Sequence, residues 1–185
     1  MLPLSLSEHI AEVFFTAEEL DTINRRLGEQ ITKDYQGKNL CVVGVLKGSL
    51  MFMADLIRYI DVPCEIDFLS VSSYGNGTTS SGEVRIIKDL DGPLQDKDLL
   101  VVEDILDSGI TLSFLLETLS ARHPRSIRLC TLLDKPARRR VAIKPDYVGA
   151  EVEDQFIVGY GLDFAQKYRN LPYIGVLRPE IYEEI

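Results

Sequence analysis

Tryptophan is missing from the chain, and histidine occurs only twice, at His9 and His123. Two distant histidines leave no HExxH pair for zinc, and no G-x-S-x-G marks a serine nucleophile. Cysteine is scarce too: Cys41, Cys64 and Cys130 are odd in number and lack CxxC spacing. They read as reduced core residues of a cytosolic protein, not as a disulfide framework or a metal site. No run of eighteen apolar residues occurs, so no helical membrane span is expected. The opening MLPLSLSEHIAEVFF lacks the basic stretch and cleavage site of a secretory signal. Two phosphate motifs also fail. There is no G-x-x-x-x-G-K-[ST], and Gly75-Asn76-Gly77-Thr78-Thr79-Ser80 lacks the third glycine of G-x-G-x-x-G and precedes no helix. Positive charge is in deficit, with 20 Lys and Arg against 29 Asp and Glu and a net charge of −9. That balance argues against a nucleic-acid partner. It also requires that any anionic ligand be held by local groups.

What remains is an ordinary globular composition, 45 % hydrophobic and 26 % charged over 185 residues, the length of one domain. Thr16-Ala17-Glu18-Glu19 is a capping-box start. Leu20, Ile23, Leu27 and Ile31 follow at helical spacing, predicting an amphipathic helix to about residue 35. Strands are expected at 39–45, 64–72, 83–87, 99–102, 126–133, 147–152, 156–158 and 173–176, with a helix over 49–60. Alternating strands and helices predict an α/β fold around a mainly parallel sheet covered on both faces. Ligands of such sheets bind beyond the carboxyl ends of the strands. Lys47, Tyr74, Asp104 and Lys135 each follow a strand-like run, so their motifs should meet at one edge.

The most telling stretch is 99–111, LLVVEDILDSGIT. Four apolar residues read as a buried strand, with Glu103 and Asp104 at its tip. Asp107, Ser108, Gly109, Ile110 and Thr111 form a loop opening a second helical pattern, LSFLLETLSARH. Loop N–H groups and the positive helix end suit a phosphate, while the acids suit ribose hydroxyls. The same loop could be an ordinary polar turn with Thr111 as the helix N-cap. Paired acids at a buried strand tip, however, have no evident packing use.

All thirteen positions resemble the 5-phosphoribosyl-1-pyrophosphate (PRPP) binding signature of the type I phosphoribosyltransferases. Leu46-Lys47-Gly48-Ser49, Ser72-Ser73-Tyr74-Gly75, Leu133-Asp134-Lys135-Pro136 and Phe156-Ile157-Val158-Gly159-Tyr160-Gly161-Leu162-Asp163 resemble further motifs of the hypoxanthine-guanine members, in their order and spacing from about residue 40 onward. The resemblance implies the type I phosphoribosyltransferase fold over 1–185, with a small hood from the N-terminal segment and about 135–185, and a lid at about 73–83. It implies purine salvage: PRPP and a 6-oxopurine base, hypoxanthine and guanine, give IMP or GMP and pyrophosphate with Mg²⁺. It implies a homodimer or homotetramer.

The resemblance also assigns roles. Glu103, Asp104, Asp107, Ser108, Gly109, Ile110 and Thr111 would bind PRPP, the 107–111 loop holding its 5′-phosphate and Glu103 and Asp104 facing its ribose hydroxyls directly or through metal, with Asp107 as general base or acid. Lys47, Gly48, Ser73, Tyr74 and Arg169 would bind pyrophosphate, with a non-proline cis peptide at Lys47-Gly48. Lys135, Phe156, Ile157 and Asp163 would bind the purine, Lys135 donating to its O6 and Phe156 stacking on it. Glu103, Asp104 and Asp163 would hold the metal. Each role has a plainer counterpart: an Asx-type loop bond for Asp107, core packing for Phe156, a solvated loop pair for Asp163 and Arg169. Gln155 stands where some members carry lysine. Two other functions stay open, a guanine- or xanthine-preferring transferase and a PRPP-sensing RNA-binding regulator. For the second, the only basic cluster is Arg138-Arg139-Arg140, read as a solvated turn.

Overall fold

The computed structural model describes residues 5–73 and 84–182. In chain order the strands are β1 (Ile10–Phe15), β2 (Leu40–Leu46), β3 (Cys64–Ser73), β4 (Val84–Lys88), β5 (Asp98–Leu106), β6 (Ser126–Asp134), β7 (Tyr147–Glu151), β8 (Ile157–Val158) and β9 (Ile174–Leu177). The helices are α1 (Ala17–Asp34), α2 (Leu50–Leu56), α3 (Ile110–Ser120) and α4 (Pro179–Tyr182).

Apolar residues run unbroken through β2 and the first half of β5 because these strands are buried on both sides and need no polar face. They lie at the centre of a six-stranded sheet ordered β4-β3-β2-β5-β6-β7, parallel except for the antiparallel edge strand β4. On one face, Leu40, Val42, Leu100 and Val102 pack with Leu20 and Leu27 of α1 and Phe52 of α2. On the other, Cys41, Val43, Leu99 and Val101 pack with Leu112, Leu115 and Leu119 of α3. Burying one such side chain is worth roughly 1.5–3 kcal/mol, and most of these are at or near zero exposure. Helix α1 begins as expected: Thr16 Oγ1 accepts from the Glu19 N–H at 3.2 Å, and Glu19 returns the contact to the Thr16 N–H at 2.8 Å. All three cysteines are free, Cys41 and Cys130 buried and Cys64 half-buried.

Three elements depart from the sequence expectation. Strand β5 does not stop at Val102; Glu103 pairs with Thr131 and Ile105 with Leu133, carrying the ladder to Leu106. The helix over 49–60 ends at Leu56 and tightens into a 3₁₀ turn at Ile57–Tyr59. The N-terminal segment, for which no element was expected, forms β1, which pairs antiparallel with β9. With β8 it makes a second sheet, β1-β9-β8, over a small core of Ile10, Val158, Tyr168, Leu171 and Leu177. This sheet joins both ends of the chain. The carboxyl ends of β2, β5 and β6 lie side by side, and Leu106 is opposite Asp134.

Candidate active site

At the carboxyl end of β5 the chain turns through Asp107, Ser108 and Gly109 into α3. Gly109 takes φ +79 at the helix N-cap, a left-handed conformation for which glycine is the natural residue, and a Cβ there would crowd Val141 and Ile143. The cap is therefore Gly109, not Thr111. The Ile110 N–H has only a long 3.5 Å contact with Ser108 Oγ. A helix start leaves its first N–H groups without intrahelical partners, so this turn presents main-chain donors and the positive end of an eleven-residue helix.

Beside the loop stand the two acids of β5. Burial, then the neighbouring charge of Asp104, pushes the Glu103 carboxyl well above its usual range. Asp104 is raised by burial despite an N–H donated by Ile105 to its Oδ1 at 2.9 Å. Glu103 Oε2 is buried with no hydrogen-bond partner. Such oxygens suit a divalent cation or sugar hydroxyls. Gly48 lies directly against them: a Cβ at that position would run into the Asp104 carboxylate. A cavity of about 330 Å³ is enclosed by Gly48, Glu103, Asp104, the 107–109 turn and Arg169.

A second cavity, of about 520 Å³, adjoins it and shares Asp104, Ile105, Asp107 and Asp163 as walls. Lys135, Phe156 and Ile157 line its far side. Lys135 is buried; its Nζ donates to the Gln155 carbonyl at 2.8 Å and pairs with Asp154 at 3.5 Å. An ammonium has three donors, so one is left for a ligand acceptor. Phe156 is 41 % exposed, too open for a core residue at the end of a strand.

Most expected site residues therefore meet here, with exceptions. The Lys47 side chain turns away, its Nζ donating to Gln166 Oε1 at 3.1 Å, while Gly48 faces the cavity. The cis peptide lies at Leu46-Lys47, one bond before the expected Lys47-Gly48. Ser73 ends β3, whereas Tyr74 and nearly all of the expected lid, 74–83, fall outside the described residues. Asp163 and Arg169 form a half-buried pair at 2.7 Å rather than a solvated one; Arg169 also donates to the Gly161 carbonyl at 2.7 Å. Nor is 138–140 a free basic turn: Arg138 pairs with Asp154 at 2.8 Å and reaches Asp107 at 3.6 Å, and Arg139 pairs with Asp134. Arg138, Asp154 and Tyr182 line the second cavity and were absent from the sequence reading of the site. Among the described residues, no group of three or more His, Cys, Asp or Glu converges as a ready-made metal cage. Mg²⁺ commonly uses one or two carboxylates plus substrate phosphates, and Glu103 with Asp104 fits that pattern.

A mostly parallel sheet with an acid-tipped central strand, a phosphate-type loop and a second small sheet over its edge defines the type I phosphoribosyltransferase fold. The phosphoribosyl transferase domain family matches residues 16–165. The chain is 54 % identical over 178 residues to the hypoxanthine-guanine phosphoribosyltransferase of Bacillus subtilis, covering 96 % of this chain and 99 % of that one. It is 55 % identical over 180 residues to the bifunctional protein TilS/HprT of Listeria innocua, covering 97 % of this chain but 28 % of that longer protein. A crystal structure of hypoxanthine phosphoribosyltransferase from Staphylococcus aureus superposes with a TM-score of 0.94 at 52 % identity, over 98 % of this chain and 99 % of that one. The chain belongs to the phosphoribosyltransferase family, in its hypoxanthine-guanine branch.

Among the described residues no helix is long and apolar enough to cross a membrane.

Proposed function

We propose that this chain transfers the 5-phosphoribosyl group of PRPP to N9 of hypoxanthine and of guanine, giving IMP or GMP and pyrophosphate in purine salvage. The carrying observation is that the two cavities share Asp104 and Asp107 as walls. A phosphate-type loop and a base-type pocket thus meet at one pair of carboxylates, as a ribosyl donor and a base acceptor require.

In the reaction the bond from ribose carbon 1 to the pyrophosphate oxygen breaks and the bond to N9 forms. The base loses one proton, and the pyrophosphate leaves with the electrons of the broken bond. The N–H groups of Ser108, Gly109, Ile110 and Thr111 hold the 5′-phosphate. Glu103 and Asp104 accept from the ribose hydroxyls and, with Asp163, would hold Mg²⁺. When bound, Mg²⁺ would neutralise charge on the pyrophosphate. Lys47, Gly48, Ser73, Tyr74 and Arg169 bind the leaving group, which for Lys47 and Arg169 requires their contacts to Gln166 and Asp163 to be exchanged for phosphate oxygens. Asp107 takes the base proton: its Oδ1 is buried with no hydrogen-bond partner, an acceptor in waiting. Lys135 donates to O6 of the purine, and a group with donors only rejects the donating amino group of adenine. Phe156 stacks on the base, and Ile157 reads its edge through the main chain. Placement of two reactants and stabilisation of pyrophosphate charge then supply most of the rate.

The three unpaired cysteines suit a reducing cytoplasm. Residues 1–185 act as one domain, with β1, β8 and β9 as the hood, the segment at 73–83 as the lid, and the protein working as a homodimer or homotetramer. Incubating the protein with Mg²⁺, PRPP and each of hypoxanthine, guanine, xanthine and adenine tests the reading. Nucleotide and pyrophosphate are expected from the first two and none from adenine. AMP as the main product, or no pyrophosphate with any base, would refute it.

A further inference from the structure

Helix α4 ends the described chain, and its last residue, Tyr182, comes back to the mouth of the base cavity. The Tyr182 ring lies nearly parallel to Phe156, with centroids 4.7 Å apart and planes 23° from each other. Phe164 meets Phe156 edge-on at 5.5 Å and Tyr182 at 6.4 Å, completing a cluster of three aromatic rings. Tyr182 lines the same cavity as Lys135 and Asp107. The segment that carries it is anchored: the Leu177 N–H donates to the Phe156 carbonyl at 3.0 Å, and the neighbouring Ile181 packs on the core of the small sheet.

We propose that Tyr182 is a positioning residue of the purine pocket, its ring fixing the plane of Phe156 and thereby the plane in which the base lies. The inference rests on the reading of Phe156 as the base-stacking residue. An aromatic side chain that is 41 % exposed can swing about its side-chain torsions unless something holds it. Phe164 stands nearly perpendicular to Phe156, at 82°, so Tyr182 is the ring of the cluster that lies along its plane. An offset-stacked neighbour removes that freedom, because tilting either ring costs face-to-face contact. Ordering Phe156 before the base arrives lowers the entropy lost on binding. The ring does this work, and the hydroxyl is not needed.

Replacing Tyr182 by alanine is expected to raise the KM for hypoxanthine roughly twofold to twelvefold, the span of one aromatic stacking contact. The KM for PRPP and kcat at saturating base should stay within about twofold, as for a loss of binding shared by ground and transition states. Tyr182→Phe should restore the parent KM. Tyr182→Leu, which keeps the apolar volume without a ring, should behave like the alanine variant and guards against a folding defect in it. Phe156→Ala is measured alongside and should raise the base KM at least as much. An unchanged base KM in Tyr182→Ala and Tyr182→Leu, with a raised one in Phe156→Ala, would overturn the role of Tyr182 while leaving base stacking intact. An unchanged KM in Phe156→Ala would instead remove base stacking, and this inference with it.

Discussion

Asp107 has one carboxylate oxygen buried without a partner and the other 3.6 Å from an Arg138 nitrogen. An isosteric amide keeps the shape and the loop but cannot accept a proton into a carboxylate. Asp107→Asn is therefore expected to lower kcat by roughly 10²–10⁴, the range for losing a general base. The KM for PRPP should stay within about threefold, because the phosphate is held by main-chain N–H groups. Steady-state kinetics with each substrate varied separate the two effects; equal losses in kcat and PRPP affinity would make Asp107 a binding residue. The residues flanking it were legible from sequence because their chemistry is local. The strand, the acids and the 107–111 loop lie within one short stretch, whereas the left-handed turn at Gly109 and the contact of Gly48 with Asp104 needed the structure. Arg138, Asp154 and Tyr182 were not legible as site residues. They reach the cavity only because β6 and the final strand deliver distant stretches to one sheet edge.

Among the elements, the doubly buried strands were readable from their apolar runs, and α1 from its cap and spacing. Glu103 and Asp104 hid the true end of β5, since two adjacent acids argue for a loop. Pairing with β6 keeps them in the ladder, and their raised proton affinity is the consequence of holding acids inside a sheet. Strand β1 was missed because its partner β9 lies at the opposite end of the chain, and a pairing of that span leaves no local signal. Helix α1 carries a second electrostatic device at its far end. The Tyr147 hydroxyl donates to Asp34 at 2.7 Å, and Arg128 pairs with the same oxygen at 2.8 Å. The Tyr147 hydrogen bond first, then Arg128, holds the Asp34 carboxyl below its usual range against some desolvation. A carboxylate lowered by folding stabilises the fold above its unfolded pKa and loses that contribution as the pH falls through its folded value. Urea midpoints of the parent and of Asp34→Asn should therefore differ at pH 6, and the gap should shrink as the pH falls below 3.8. A gap that stayed constant on acidification would mean that Asp34 works through shape and not charge.

For the whole molecule, a net charge of −9 and a polyanionic substrate are reconciled by distance and shielding. In the proposed reaction the groups that would meet phosphate are main-chain dipoles and a few cations at one sheet edge, and within a Debye length of about 8 Å they would outweigh more distant surface acids. Arg169, held by Asp163 and Gly161, is such a cation, bound in place before substrate arrives. A mainly parallel sheet and a phosphate-type loop beyond one of its strands were foreseeable from the alternation of strands and helices; of the four motifs expected at one edge, those of Gly48, Asp104 and Lys135 line adjoining cavities, and Tyr74 lies outside the described residues. A small unit drawing on the N-terminal segment and about 135–185 was expected from the resemblance, but its pairing as the sheet β1-β9-β8 needed the structure. In the proposed complex, main-chain N–H groups beyond β5 grip the 5′-phosphate while the base rests on Phe156. A crystal structure of the complex with IMP tests it most directly. The phosphate oxygens are expected within about 2.7–3.2 Å of the N–H nitrogens of residues 108–111, with the purine over Phe156 and its O6 facing Lys135. A phosphate bound away from Ser108 and Gly109, with the base outside the Phe156 cavity, would contradict the account.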